Sequence, residues 1–286
     1  MPMRTVSDPH DLARLALAGL TGGLAALGLY AALVEPRRLQ VRRSAIHHRG
    51  LHPDLEGFRI AVLSDFHAGR LTPPAVIRRA VRQTLAERPH LIALPGDFLD
   101  RRPHELEQAF RYLRGLRAPY GVFAVPGNHD RKHFDLAEWR AAVARHPTIR
   151  DIANAHVLLK VGRARLCVAG IDDLQRGHPR LHLPSFEDRD LTLLLAHNPD
   201  QAERSRRAVD AVDLVLSGHT HGGQIRIPHL GAIHRKSNIY DHGLRRRPWT
   251  QVYTSRGIGT TALPVRLAAP PEVAILTLTG RPREAW

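Results

Sequence analysis

Short apolar runs punctuate this chain, and each is followed within a few residues by Asp, Asn or His. The runs at 60–63, 91–94, 122–125, 191–195 and 214–216 are built almost wholly from Val, Ile, Leu, Ala and Phe, without polar alternation. Continuous apolar runs of this length between turn signals predict strands buried on both faces. Between them, residues 73–88 place Val76, Ile77, Ala80, Val81 and Leu85 at helical spacing, and 104–116, 134–145 and 200–209 read as further helices. Residues 157–161 and 165–169 predict a hairpin around Gly162, and short strands are expected near 224–227, 251–254 and 273–278. Strands alternating with helices predict an α/β layered fold, and the later strands without helices predict a second sheet.

The N-terminal pattern is different. Residues 15–34 contain no charged side chain. Twenty residues of helix span about 30 Å, the thickness of a bilayer core, which predicts a transmembrane anchor. No small-x-small cleavage site follows the run. The chain then divides into an N-terminal segment (1–36), a basic linker (37–56) and a catalytic domain (57–286). Arg37, Arg38, Arg42 and Arg43 crowd the far side of the apolar run, whereas Arg4 and Arg14 on the near side are offset by Asp8 and Asp11. The positive-inside rule then places the catalytic domain on the cytoplasmic face of the membrane. The same arginines could rest on anionic headgroups.

The formal net charge is +15, nearly all of it from arginine. Such a surface suits an anionic partner, or is simply a solvated face of an arginine-biased chain. No basic tract is interleaved with aromatics, so a dedicated nucleic-acid module is not indicated. The single cysteine, Cys167, excludes an intrachain disulfide and is expected to pack in a strand.

The chemistry gathers at the strand ends. In order they carry Asp65 and His67; Asp97; Asn128 and His129; His197; and His219 and His221. Sites in open α/β sheets form beyond the carboxyl ends of strands. His219 and His221 are two residues apart, so at a strand end both imidazoles face one side. Mixed carboxylate and imidazole donors suit Mn, Fe or Zn. There are more donors than one ion needs, and two ions about 3.5–4 Å apart sharing a carboxylate would use them. Such a pair activates a hydroxide for in-line attack on a phosphate ester or anhydride.

These residues carry a resemblance. Asp65-x-His67, Gly96-Asp97-x-x-Asp100, Gly127-Asn128-His129-Asp130, Ala196-His197 and Gly218-His219-x-His221 resemble the full signature of the calcineurin-like metallophosphoesterases. Gly222-Gly223-Gln224, Ser255-Arg256-Gly257-Ile258-Gly259, Leu263-Pro264-Val265-Arg266 and Val34-Glu35-Pro36 are similar to the membrane-associated bacterial YkuE/YaeI-like phosphodiesterase branch. The resemblance implies a four-layer α/β/β/α sandwich preceded by the apolar helix. It also implies that Asp65, His67 and His221 hold one divalent ion, that Asn128, His197 and His219 hold a second, and that Asp97 bridges them. His129 would face the phosphate, stabilising the transition state or protonating the leaving oxygen, with Asp130 orienting it or forming a structural turn. Asp100 is implied as a structural partner. The loop 174–188 reads as an ordinary surface loop rather than a lid.

The function expected is hydrolysis of phosphodiester or diphosphate bonds on a lipid-linked substrate. The similar enzymes include ones that cleave UDP-2,3-diacylglucosamine in lipid A biosynthesis. A soluble nucleotide or cyclic-nucleotide phosphodiesterase is the alternative. A nuclease would show a steep salt dependence of DNA binding. A non-catalytic scaffold is expected to lack ligands that this chain keeps.

Overall fold

The computed structural model describes residues 9–204, 212–227, 229–234, 236–237 and 239–280. Two six-stranded sheets stack face to face. The first has the order β1 (Gln40–His47), β14 (Glu272–Thr279), β2 (Arg59–Val62), β3 (Leu91–Pro95), β4 (Val122–Val125), β5 (Arg150–Asp151). The second runs β12 (Gly243–Arg246), β13 (Gln251–Thr254), β9 (Leu214–Ser217), β8 (Leu191–Leu195), β7 (Ala164–Gly170), β6 (Ala155–Val161). Strands β2, β3 and β4 are mutually parallel, as are β7, β8, β9 and β13, so their carboxyl ends collect on one edge of the sandwich.

Apolar pattern explains the layers. Ile60, Val62, Leu193, Leu195, Leu214 and Leu216 meet in the core between the sheets. Alternate residues on the other face of the first sheet, Ala61, Ile92 and Ala124, pack against α2 (Pro74–Ala86), α3 (His104–Leu113) and α5 (Leu136–Ala144). There Phe98 stacks on Phe110 and Trp139 at 5.2 and 5.3 Å between ring centroids. α5 starts at a capping box in which Asp135 and Glu138 accept each other's backbone N–H. The outer face of the second sheet is covered, among the described residues, by Ala202 of α6 (Gln201–Arg204), Tyr240 and the loop residues Leu181 and Leu183. Cys167 lies in this layer, where burial pushes its thiol up to about 11, so it is neither nucleophile nor ligand.

Three expectations are corrected. The stretch expected as a basic linker carries β1, which pairs in parallel with β14 over its whole length. Its arginines hid it: Arg42 pairs with Glu272 at 3.3 Å and Arg43 with Glu87, which blunts an exposed sheet edge with charge. The second sheet does not begin with the late strands, since the β6–β7 hairpin already belongs to it, and β14 returns to the first sheet. The strand expected at 224–227 is only β10 (Arg226–Ile227), in a two-stranded ribbon with β11 (Gly231–Ala232). The helix expected over 200–209 is described through α6, and 205–209 lie outside the described residues, as do Arg4 and Asp8.

The N-terminal helix α1 (Pro9–Leu29) continues through a wide turn at Tyr30–Val34. It is long and apolar enough to cross a membrane, with leucines from Leu12 to Leu29 exposed along it. Its exit is pinned to the domain. Ala31 O accepts the Arg266 N–H at 2.9 Å, and the buried Glu35 carboxylate accepts the Ala269 N–H at 2.7 Å. With Arg42 and Arg43 drawn into ion pairs, Arg37 and Arg38 are left at the exit.

Candidate dimetal site

The loops after β2, β3, β4, β8 and β9 converge on the shared sheet edge and bring every strand-end residue into one cluster. The backbone is bent hard to do so. Asp65, His67, Asp97, His219 and His221 all take positive φ, between 40° and 71°, a left-handed conformation held only where surroundings over-determine it. Two glycines let the loops close. A Cβ on Gly218 would stand 2.3 Å from Asp65 Oδ2, and one on Gly127 would stand 2.2 Å from Asp97 Oδ1.

Two groups of donors share a middle member. In the first, His67 Nε2 lies 3.0 Å from His221 Nε2, and His221 Nε2 lies 3.4 Å from Asp65 Oδ1. In the second, Asn128 Oδ1 lies 2.9 Å from His219 Nδ1 and 3.1 Å from His197 Nε2. Asp97 Oδ2 sits between them, 3.5 Å from His67 Nε2 and 3.3 Å from His197 Nε2, buried and without a hydrogen bond. Its other oxygen is committed to the His129 N–H at 2.8 Å.

The protonation states suit cations. Burial, above all, pushes His67, His219 and His221 well below the ordinary imidazole range, so these rings are neutral and present lone pairs. Burial opposes charge on Asp97 too, but the neighbouring His197 holds its carboxyl well below the usual carboxylate range. Burial likewise opposes charge on His197, and the Asp97 carboxylate nevertheless pushes it up to about 10. Nitrogens crowded 3.0 and 3.2 Å apart, facing a buried carboxylate oxygen that accepts no hydrogen bond, fit divalent cations. A cation entering here must displace the His197 proton. Calorimetry in buffers of different ionisation enthalpy should therefore show proton release on manganese binding at pH 7.5, with affinity rising with pH towards about 10. Zero proton release would contradict this protonation pattern.

Surrounding groups fix the rings. His197 Nδ1 donates to Pro95 O at 2.8 Å, which turns Nε2 inward. The Gln175 side-chain amide lies 3.3 Å from His219 Nε2, leaving Nδ1 to face the site. Arg266, fully buried, places its guanidinium 3.5 Å from both the carbonyl oxygen and Nδ1 of His221. His129 donates from Nδ1 to the Asp100 carbonyl at 2.7 Å, and its ring stands edge-on to His67 at 4.6 Å between centroids.

Of the two roles expected of Asp130, orienting His129 or forming a structural turn, the contacts fit the second, and the Asp100 carbonyl is what orients His129. Asp130 is buried, and its carboxylate accepts the backbone N–H groups of Asp97, Phe98, Leu99 and Gly127 at 2.8–3.2 Å. It ties the β3 and β4 loops together. Burial and the Asp97 charge push it up to about 7, against the pull of those donors. Asp100 faces His67 Nδ1 at 3.8 Å, the structural position expected of it. Sequence reasoning missed Gln175, which lies in the stretch taken as an ordinary surface loop, and Lys236, which lines a groove with His221. Arg266 was visible only as part of a motif.

Comparison with known proteins gives the family. Residues 58–223 match the calcineurin-like phosphoesterase family, and the chain belongs to that family. It is 31% identical over 275 residues to the uncharacterised metallophosphoesterase YkuE of Bacillus subtilis, covering 92% of this chain and 96% of that protein. It is 31% identical over 232 residues to the phosphodiesterase YaeI of Escherichia coli, covering 77% of this chain and 82% of that one. A bovine transmembrane protein with a metallophosphoesterase domain is 30% identical over 251 residues; 82% of this chain aligns, but only 56% of the bovine protein. The chain is a metallophosphoesterase, a hydrolase of phosphoester bonds.

Proposed function

We propose that the protein is a dimetal phosphodiesterase anchored in a membrane, acting on a phosphodiester or diphosphate with a lipid part. The position of Asp97 Oδ2 between the two histidine groups carries the dimetal reading. Asp65, His67 and His221 would hold one cation, Asn128, His197 and His219 the other, and Asp97 both. Manganese, iron and zinc suit these donors. The cations would supply Lewis acidity and an activated water. The chain's own residues do the rest. Asp97 Oδ1 and the Asp100 carbonyl fix His129 by its backbone and by Nδ1. The other ring nitrogen, Nε2, then carries a proton only in the doubly protonated ring, and in that form it would give this proton to the leaving oxygen as the bond to phosphorus breaks.

The apolar helix α1 supports the membrane reading, and the arginines at its exit favour a cytoplasmic domain. UDP-2,3-diacylglucosamine, a lipid A precursor, has the required diphosphate and acyl chains. Release of UMP from it by the manganese-loaded protein tests the substrate. His129→Ala should lower that rate by about 10²–10⁴-fold with metal content unchanged. Cleavage of a simple diester without UMP release would keep the phosphodiesterase and reject this substrate. An unimpaired His129→Ala enzyme would remove the proton-donor role.

A further inference from the structure

Two cavities open beside the dimetal site, and they differ in chemistry. One, of about 830 Å³, lies next to Asp100 and is lined by Arg70, Arg101, Arg102 and His104. Its acids are largely committed. Asp100 faces His67 and Arg101, and one Glu105 oxygen accepts the N–H groups of Asp100, Arg101 and Arg102. That leaves Arg70 and Arg102 to meet an anion. The other, of about 340 Å³, lies next to His221 and is lined by Ile225, Ile233 and Leu263, with Lys236 among its few charged groups. Ala262, held at a φ of 62°, lines both cavities and separates them.

The apolar groove continues onto an apolar surface. Of its lining, Ile233 (66% exposed) and Leu263 (58%) reach into solvent, and Ile227 and Leu230 (73%) are exposed on the β10–β11 hairpin that follows Ile225. Exposed apolar groups gathered on a groove and the hairpin next to it in the chain mark a binding surface. Leu263 also belongs to the loop that holds the exit of α1, through Arg266 N to Ala31 O and Ala269 N to Glu35. The groove mouth and the end of the membrane-length helix are therefore parts of one hydrogen-bonded unit. Water-soluble diesters have no use for this rim, whereas a hydrocarbon chain leaving a bilayer does.

We infer that the site takes an amphipathic substrate in a fixed orientation. A hydrocarbon chain of a membrane lipid occupies the groove of Ile225, Ile233 and Leu263. An anionic headgroup occupies the arginine cavity, with the scissile phosphorus between them at the Asp97 centre. This rests on the phosphoesterase reading of the site, and it adds the chain-binding surface and the polarity of binding.

The test uses the full chain in vesicles of phosphatidylglycerol bearing a diazirine at the acyl terminus. Photolabelling should mark residues 225–233 and 261–264 as well as α1, and the Ile233→Ser/Leu263→Ser double variant should lose most of the first two. Kinetics give a second readout with the manganese-loaded protein. The kcat/KM for dodecyl 4-nitrophenyl phosphate should exceed that for bis(4-nitrophenyl) phosphate by about tenfold or more, since each buried methylene contributes about 0.8 kcal/mol. In the double variant that ratio should fall towards one. Dodecyl diphosphate should inhibit more tightly than dodecyl phosphate, and Arg70→Ser/Arg102→Ser should erase the difference. Label confined to α1, or a wild-type ratio near one, overturns the groove assignment. Equal inhibition by the two dodecyl compounds overturns the headgroup assignment. Absence of turnover on both diesters overturns the phosphodiesterase reading instead, and the photolabelling then decides the groove by itself.

Discussion

Asp97→Asn is expected to strip the site of cations. Asn keeps the shape and the oxygen that receives the His129 N–H, so the loops stay in place. What it removes is the negative charge facing His67 and His197 from 3.5 and 3.3 Å in a fully buried setting. Losing one partner of a buried charge pair costs about 3–5 kcal/mol, which corresponds to about 10²–10⁴-fold in cation affinity. Because Asp97 groups with His67 on one side and with His197 and His219 on the other, both sites should weaken together. Metal content by mass spectrometry should drop from two equivalents towards none, and turnover should fall at least as far. Two tightly held equivalents in the variant would show that Asp97 is not the shared ligand.

Arg266→Met should cost more stability than any surface change. The Arg266 side chain is wholly buried and donates to the carbonyls of Gly259, Arg256 and Ala269 at 2.5–3.2 Å, with His221 at 3.5 Å. Burial pulls it down to about 10, so it is still a cation at neutral pH. Methionine fills the volume but leaves those carbonyls without donors, at roughly 1–3 kcal/mol each. A net loss of about 3–5 kcal/mol should lower Tm by about 6–20 °C. Lysine should not rescue it, because a point charge cannot reach several carbonyls as a planar fork does. The same substitution should loosen His221 and the loop that receives Ala31 and Glu35, so metal content and Tm fall together. An unchanged Tm would mean that water replaces the guanidinium.

Asp130 shows why residue identity and role part company. Its neighbour His129 sits on a short turn, α4 (Asn128–Arg131), whose N–H groups need partners. Adjacency in sequence leaves two roles open for the carboxylate, orienting the ring or holding a structural turn. A side chain one residue on points elsewhere around a helical turn, and Asp130 turns into the β3 loop, where four donors await it. The His129 partner is then a backbone carbonyl from residue 100, a contact that only packing could create.

The sequence by itself determined the α/β class, because buried strands must be apolar on both faces and helices must repeat at their own period. It determined the candidate ligands as well, because residues that serve a sheet-edge site sit within a few positions of a strand end. Tertiary structure alone decided what spans distant segments. That Asp97 lies between the histidine groups depends on β3 being central in its sheet and facing β8 and β9 across the core. That Gln175 reaches His219, that Arg266 underpins His221, and that β1 is a strand despite Arg42 and Arg43, all follow from partners far away in the chain. Periodicity reports which face of an element is dry. It carries no information about which distant side chain, carbonyl or membrane-length helix will be packed against that face.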